Sequence, residues 1–237
     1  MAATEDQPAS AASDSTVDDL TYRTGIAELI GILCHGEISA CERLAEDATM
    51  APDLATKAEI MAMMAAEWDH FEKLHAKLGE FTDDTYGFME QFAPIFERFH
   101  AQTTPSDWLE GLVKAYVGDG LAADFYGEIA AYLDADTREL VLETLSGTGH
   151  SEFVVEAIRG AIADDPRIGG RLALWGRRLM GEALSQAQMV VAERDALSVV
   201  LVGGVDRPGL DLAGIGRMFT RITESHAARM AKLGLDA

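Results

Sequence analysis

The sequence predicts an all-α protein, and three observations carry that expectation. Apolar residues recur at helical spacing nearly end to end, and the helix formers Ala, Leu, Met, Glu and Arg dominate. Runs of β-branched residues are scarce. Neither a strand pattern nor a Gly-rich phosphate loop stands anywhere along the chain. The first helix is expected over about 17–48, and "APD" at 51–53 turns the chain into a second over about 54–79, closed at Gly79. A long connection follows, "FTDDTYGFMEQFAPIFERFHAQTTPSD", holding a short helix whose Phe88, Phe92, Phe96 and Phe99 repeat at helical spacing as core packing. Ser106 or Asp107 starts a third helix that runs to about Leu133. The fourth follows "DADTREL" and continues to about Ala163, with an interruption expected at "SGTGH". Pro166 suits a helix start and opens the fifth, about 167–202; "GGVDRPG" then turns into a sixth, "LDLAGIGRMFTRITESHAARMAKL". The expected organisation is a disordered acidic tail over 1–16 and a single domain over 17–237. Its four-helix core spans about 17–163, with two additional helices at about 167–235.

With 237 residues, 48% of them hydrophobic, the chain can bury a sizeable core. No uncharged apolar stretch of about 18 residues exists to span a membrane. The polar start, "MAATEDQPASAASDSTVDD", lacks the apolar segment of a signal peptide. Cys34 and Cys41, seven apart on one helix, lie about 10 Å apart along its axis, too far for a disulfide. Buried free thiols in a reducing cytoplasm are the simplest account of them.

The net charge of −21 is unevenly placed. Residues 1–158 hold 8 Lys+Arg and 31 Asp+Glu, while residues 159–237 hold 11 and 9. That balance disfavours a polynucleotide partner unless a local basic face exists. Arg159, Arg167, Arg171, Arg177 and Arg178 are the only candidates, and an ion-paired helix surface explains them better.

Chemistry concentrates in "MAMMAAEWDHFEKLHAK" (61–77). Glu67 and His70 stand three apart on a helix, one turn apart on one face, so both can reach one ion. Glu37 lies thirty residues earlier, in the middle of the first helix. The second half of the chain echoes this with Asp119 in "AYVGDGLAADFY" and His150 in "ETLSGTGHSEFVV". The residue three before His150 is Gly147, so one carboxylate of the repeat is missing. Gly118 and Gly120 flank Asp119, which points either to close helix packing or to a π-bulge that re-aims the carboxylate. His75, His100 and His226 read as surface residues, and Trp68 and Trp175 as packing anchors.

A carboxylate followed by Glu-x-x-His, twice, resembles the ferritin-like superfamily of carboxylate-bridged dimetal bundles. Within it, "GEISACERLAEDA", "AAEWDHF" and "AYVGDGLAADFY" are similar to a group that contains the non-haem di-iron tRNA hydroxylase acting on a methylthiolated, isopentenylated adenosine. The resemblance implies a ferritin-like four-helix bundle in which Glu37, Glu67, His70, Asp119 and His150 ligate iron. One or two ions would bind, with Mn as another candidate. Glu143, Glu182 and Gln186 would support the centre from behind, although Glu182 and Gln186 suit plain interhelical hydrogen bonds as well. The expected activity is an oxygen-activating hydroxylase or monooxygenase of a small molecule or of a modified tRNA base, with an electron donor the sequence does not name. The missing carboxylate at Gly147 keeps a second expectation open, a non-catalytic scaffold that has lost the complete centre; iron storage is a third. The fifth and sixth helices are expected either to pack around the bundle or to form a contact between two copies.

Overall fold

Five helices begin at an aspartate whose carboxylate accepts a backbone N–H of the first turn: Asp53, Asp84, Asp107, Asp134 and Asp211. Each such cap contributes about 0.5–2 kcal/mol and fixes where a helix starts. At Asp107 the cap is reciprocal: its Oδ1 accepts the Glu110 N–H at 2.9 Å, and Glu110 Oε2 accepts the Ser106 N–H at 2.8 Å. The computed structural model describes residues 9–145, 151–203 and 209–237. Ten helices stand among the described residues, with no strand. They are α1 (Ala9–Thr49), α2 (Leu54–Leu78), α3 (Thr85–Glu90), α4 (Ala93–Gln102), α5 (Trp108–Ala130), α6 (Ala135–Thr144), α7 (Ser151–Asp164), α8 (Arg167–Glu193), α9 (Asp195–Val202) and α10 (Leu212–Leu233).

Several expectations need correction. Helix α1 is already formed at Ala9, inside the stretch expected to be a tail; residues 1–8 lie outside the described ones. The long connection holds two short helices rather than one. The expected fifth helix is two, because the chain breaks at Arg194, whose guanidinium bonds Gln91 and lies 4.8 Å from the Phe92 ring centre. No helix of the described residues is long and apolar enough to cross a membrane.

Helices α1 and α2 pack along most of their length, α5 adds the third long member, and α6 and α7 together form the fourth side. Helix α9 lies on α1, while α8 and α10 lie on α5. The C-terminal arginines serve this packing: Arg159 donates from Nε to the Lys232 carbonyl at 2.7 Å, and Arg171 bridges Asp107 (2.6 Å) and Glu110. Trp175 is the expected anchor, buried, with Nε1 on the Glu110 carbonyl at 2.9 Å. Trp68 is not, being 45% exposed.

The core is in two parts. One contains Leu44, Ile60, Met63, Val117, Ile158 and Leu172; the other contains Ile30, Cys34, Phe71, Leu74, Ile129 and Val141. Along α1, the second core ends near Cys34 and the first resumes at Leu44. Along α2, the division falls between Met63 and Phe71, and along α5 between Leu121 and Ile129. Helix α6 packs into the second core and α7 into the first. Apolar packing is therefore interrupted at one level of the bundle.

Candidate metal centre

Glu37 on α1 and Glu67 and His70 on α2 fall at that interruption. His70 Nδ1 lies 3.6 Å from Glu67 Oε2 and 3.9 Å from Glu37 Oε2. One ligand atom from each of the three lies within 4.8 Å of the others. Atoms held at about 2.0–2.2 Å from one ion are separated by roughly 3–4 Å, so the set fits a cation with small adjustment. Glu67 is buried and its two partners nearly so.

The electrostatics match that geometry. Burial raises the Glu37 carboxyl well above the usual carboxylate range, and the hydrogen bond and charge of Glu67, then the charge of Asp119, add to it. Burial also opposes ionisation of Glu67, but hydrogen bonds from His70 and Glu37 hold it below its ordinary value. Burial and Glu67 thus favour the protonated form of Glu37, and His70 and Glu37 favour the ionised form of Glu67, an arrangement in which the pair shares one proton. Asp119 is exposed by surface area although many protein atoms surround it, because it lines a chamber that is half open. It too is raised well above its ordinary value, by burial and then by the Glu67 charge, against the pull of Arg229.

The chamber has a volume of about 470 Å3 and runs between α1, α2, α4, α5 and α8. Glu37, Glu67, His70, Asp119 and Gln186 all line it. Of the expected ligands, His150 lies outside the described residues, as does Gly147. Of the expected supporting residues, Gln186 is buried against the chamber, while Glu182 is half-buried and does not line it. Glu143 requires a correction: it is exposed, because Lys73 holds its carboxylate at 2.6 Å on the outside of the bundle.

Helix α5 is continuous through Asp119, without a π-bulge, which decides the question raised by its glycines. At Gly120 an added Cβ would stand 1.9 Å from Arg229 Nε, so the guanidinium packs directly on the backbone; its Nη2 donates to the Gly120 carbonyl and to Asp124. At Gly118 an added Cβ would meet nothing within 4 Å: this glycine keeps the chamber open.

Of three histidines expected at the surface, one is buried and two are half-buried. His226 is buried with both ring nitrogens lacking a hydrogen-bond partner. His100 bonds Ser39 Oγ at 2.7 Å, and His75 bonds Thr85 Oγ1 at 2.7 Å between the rings of Phe71 and Tyr86. Sequence reading also missed Tyr126, Lys114 and Arg229 on the chamber wall. Tyr126 is seven residues from Asp119 and so on the same helix face, a usable signal. Arg229 comes from α10 and carries none.

Ferritin_fold-like, described as a ferritin-like domain of actinomycetes, matches residues 20–204. The chain belongs to this family. The match covers α2 to α9 and all of α1 that carries the site. Among curated proteins, none matches the chain. In this ferritin-like domain Glu37, Glu67 and His70 stand at the level where the core divides and could hold a metal ion.

Proposed function

We propose that this ferritin-like protein binds iron through Glu37, Glu67 and His70, with Asp119 completing the set, and oxidises a small molecule held in the adjoining chamber. Manganese suits the same donors. One observation carries the reading: Glu37, Glu67 and His70 replace the apolar core at one level, and Asp119, on the first-core side of that level, lines the same chamber. His150 is proposed as a fifth ligand on the sequence resemblance alone.

Bound there, iron would supply oxygen activation, with electrons from an external donor. The chain's own residues hold the reaction in place. Glu37 and Asp119 give up their protons when the cation arrives, since an ion binds only the deprotonated carboxylate. The apolar wall, with Phe96, Phe99 and Phe125, excludes water and orients the substrate. Gln186 offers an amide beside the acids, able to donate or accept one hydrogen bond. A small-molecule substrate is favoured over a modified tRNA base, because 31 of the 40 acidic residues precede residue 159 and repel polyanions.

A second reading rests on the shared proton. Glu37 and Glu67 neutralise part of their own charge, so the cluster stands in the fold without a cation, as a non-catalytic scaffold requires. The test is oxygen uptake by iron-loaded protein with a chemical reductant, beside Glu67→Ala and His70→Ala. Uptake in the wild type that falls at least about tenfold in both variants supports the oxidase reading. Equal rates in all three contradict it.

A further inference from the structure

The chamber has a second end, away from the acids. Arg43 and Asp47 stand six and ten residues beyond Glu37 on α1, or roughly 9–15 Å along the axis. Lys114 stands five residues before Asp119 on α5, which runs the opposite way, so it arrives at the same end. His100 of α4 closes it, and its pKa is set partly by the charges of Lys114 and Arg43.

This end is rich in unused donors. Arg43 Nε is buried without a hydrogen-bond partner; His100 Nδ1 is also unpartnered and is a donor in the tautomer whose Nε2 accepts from Ser39 Oγ–H. Lys114 Nζ donates to the Thr103 carbonyl at 2.8 Å, and an ammonium carries three N–H groups. Glu46 engages Arg43 at Nη1 and Glu42 stands 3.6 Å from Nη2, both from outside the chamber, which leaves Nε as the unpartnered donor. Facing the chamber there is one carboxylate, Asp47, against the cations Arg43 and Lys114. A buried donor left unmade is costly, so these groups call for an acceptor that enters with the ligand. At the other end Arg229 spans Asp124 and the Gly120 carbonyl through Nη2 and keeps Nη1 buried without a partner.

The pole also sits at a doorway. Arg43, Phe96 and His100 line both the chamber and a cleft of about 640 Å3 on the outer side of α4. A ligand entering there tail first would leave its polar head at the wetter end and its apolar body along Leu44, Met63 and Phe99. Its far carbons would then lie beside Glu37, Glu67 and His70.

We infer that Arg43, Lys114 and His100 form a carboxylate-binding pole, and that the ligand of this chamber is an apolar carboxylic acid of medium chain length. The inference rests on reading the chamber as a substrate site, but not on any metal chemistry. Its test is therefore calorimetric titration of metal-free, full-length protein with octanoate, beside octanol and methyl octanoate. Octanoate should bind most tightly, and Arg43→Gln and Lys114→Gln should each weaken it by about tenfold or more while leaving octanol unchanged. Gly118→Leu, which fills the chamber, should remove binding of all three. Octanol binding as tightly as octanoate, octanoate binding unaltered in both pole variants or in Gly118→Leu, or no octanoate binding to folded wild type would each overturn the inference. A chain that binds octanoate yet takes up no iron keeps the pole and loses the oxidase reading.

Discussion

A carboxylic acid among apolar helices is unstable there unless it holds a proton or a cation. Glu37 and Asp119 solve this with protons in the metal-free chain, and their raised pKa values make metal binding a competition. Those protons must leave when an ion enters. Affinity for iron or manganese is thus expected to rise as pH rises, with proton release detectable by titration in buffers of different ionisation enthalpy. Affinity that does not change with pH would contradict a raised Glu37 carboxyl. His100 gives the opposite kind of linkage. Burial, then the charges of Lys114 and Arg43, push it down to about 3 from an ordinary value of 6.5. Below pH about 6.5 the unfolded chain binds a proton that the folded chain refuses, so this residue costs stability as pH falls. His100→Asn should shrink the drop in Tm between pH 7 and pH 5, as read by circular dichroism; an unchanged drop would show that His100 titrates freely. His70 was legible from spacing alone, since Glu-x-x-His places both groups on one face. His100 was not, because its burial comes from α1 and α5, distant in sequence.

At the level of elements, neighbouring glycines on α5 make a matched pair. Gly118→Ala meets open space and removes the conformational freedom of glycine, so it should stabilise the protein by about 0.5–1 kcal/mol. Gly120→Ala drives a methyl into the Arg229 guanidinium and should destabilise by about 1–3 kcal/mol. Urea denaturation of both variants reads the difference, and equal effects would contradict the packing described for Arg229. The sequence showed two costly glycines beside Asp119 but not which purpose each serves, because the partner belongs to α10. The break between α8 and α9 was hidden for a similar reason. Helical periodicity continues through Arg194, and only its bonds to Gln91 and its place against Phe92 divide the helix. Aspartate caps, by contrast, are local chemistry; the sequence narrowed this start to Ser106 or Asp107, and Asp107 is the cap.

For the whole molecule, the C-terminal helices are not trimming around a self-sufficient bundle. Leu172 and Leu179 of α8, and Met218, Ile222 and Met230 of α10, sit inside the first core. Burying a side chain of this kind is worth about 1.5–3 kcal/mol, so those five approach the total of about 5–15 kcal/mol that holds a domain together. A chain ending at residue 164 should therefore lose cooperative unfolding, as monitored by circular dichroism during melting. A sharp transition like that of the full chain would contradict this role. The fold class was legible because periodicity and composition agree along the entire sequence. The division of the core at one level was not, since it depends on how three helices are set side by side. That division is the central claim, with Glu37, Glu67 and His70 as its chemistry and Asp119 beside it. Its most direct test is elemental analysis after anaerobic iron loading of wild type, Glu67→Ala and His70→Ala, with helicity checked in each. The account predicts at least one iron per wild-type chain and little in either variant at nearly unchanged helicity. Iron that is absent from the wild type at every loading, or equal in all three proteins, would contradict it.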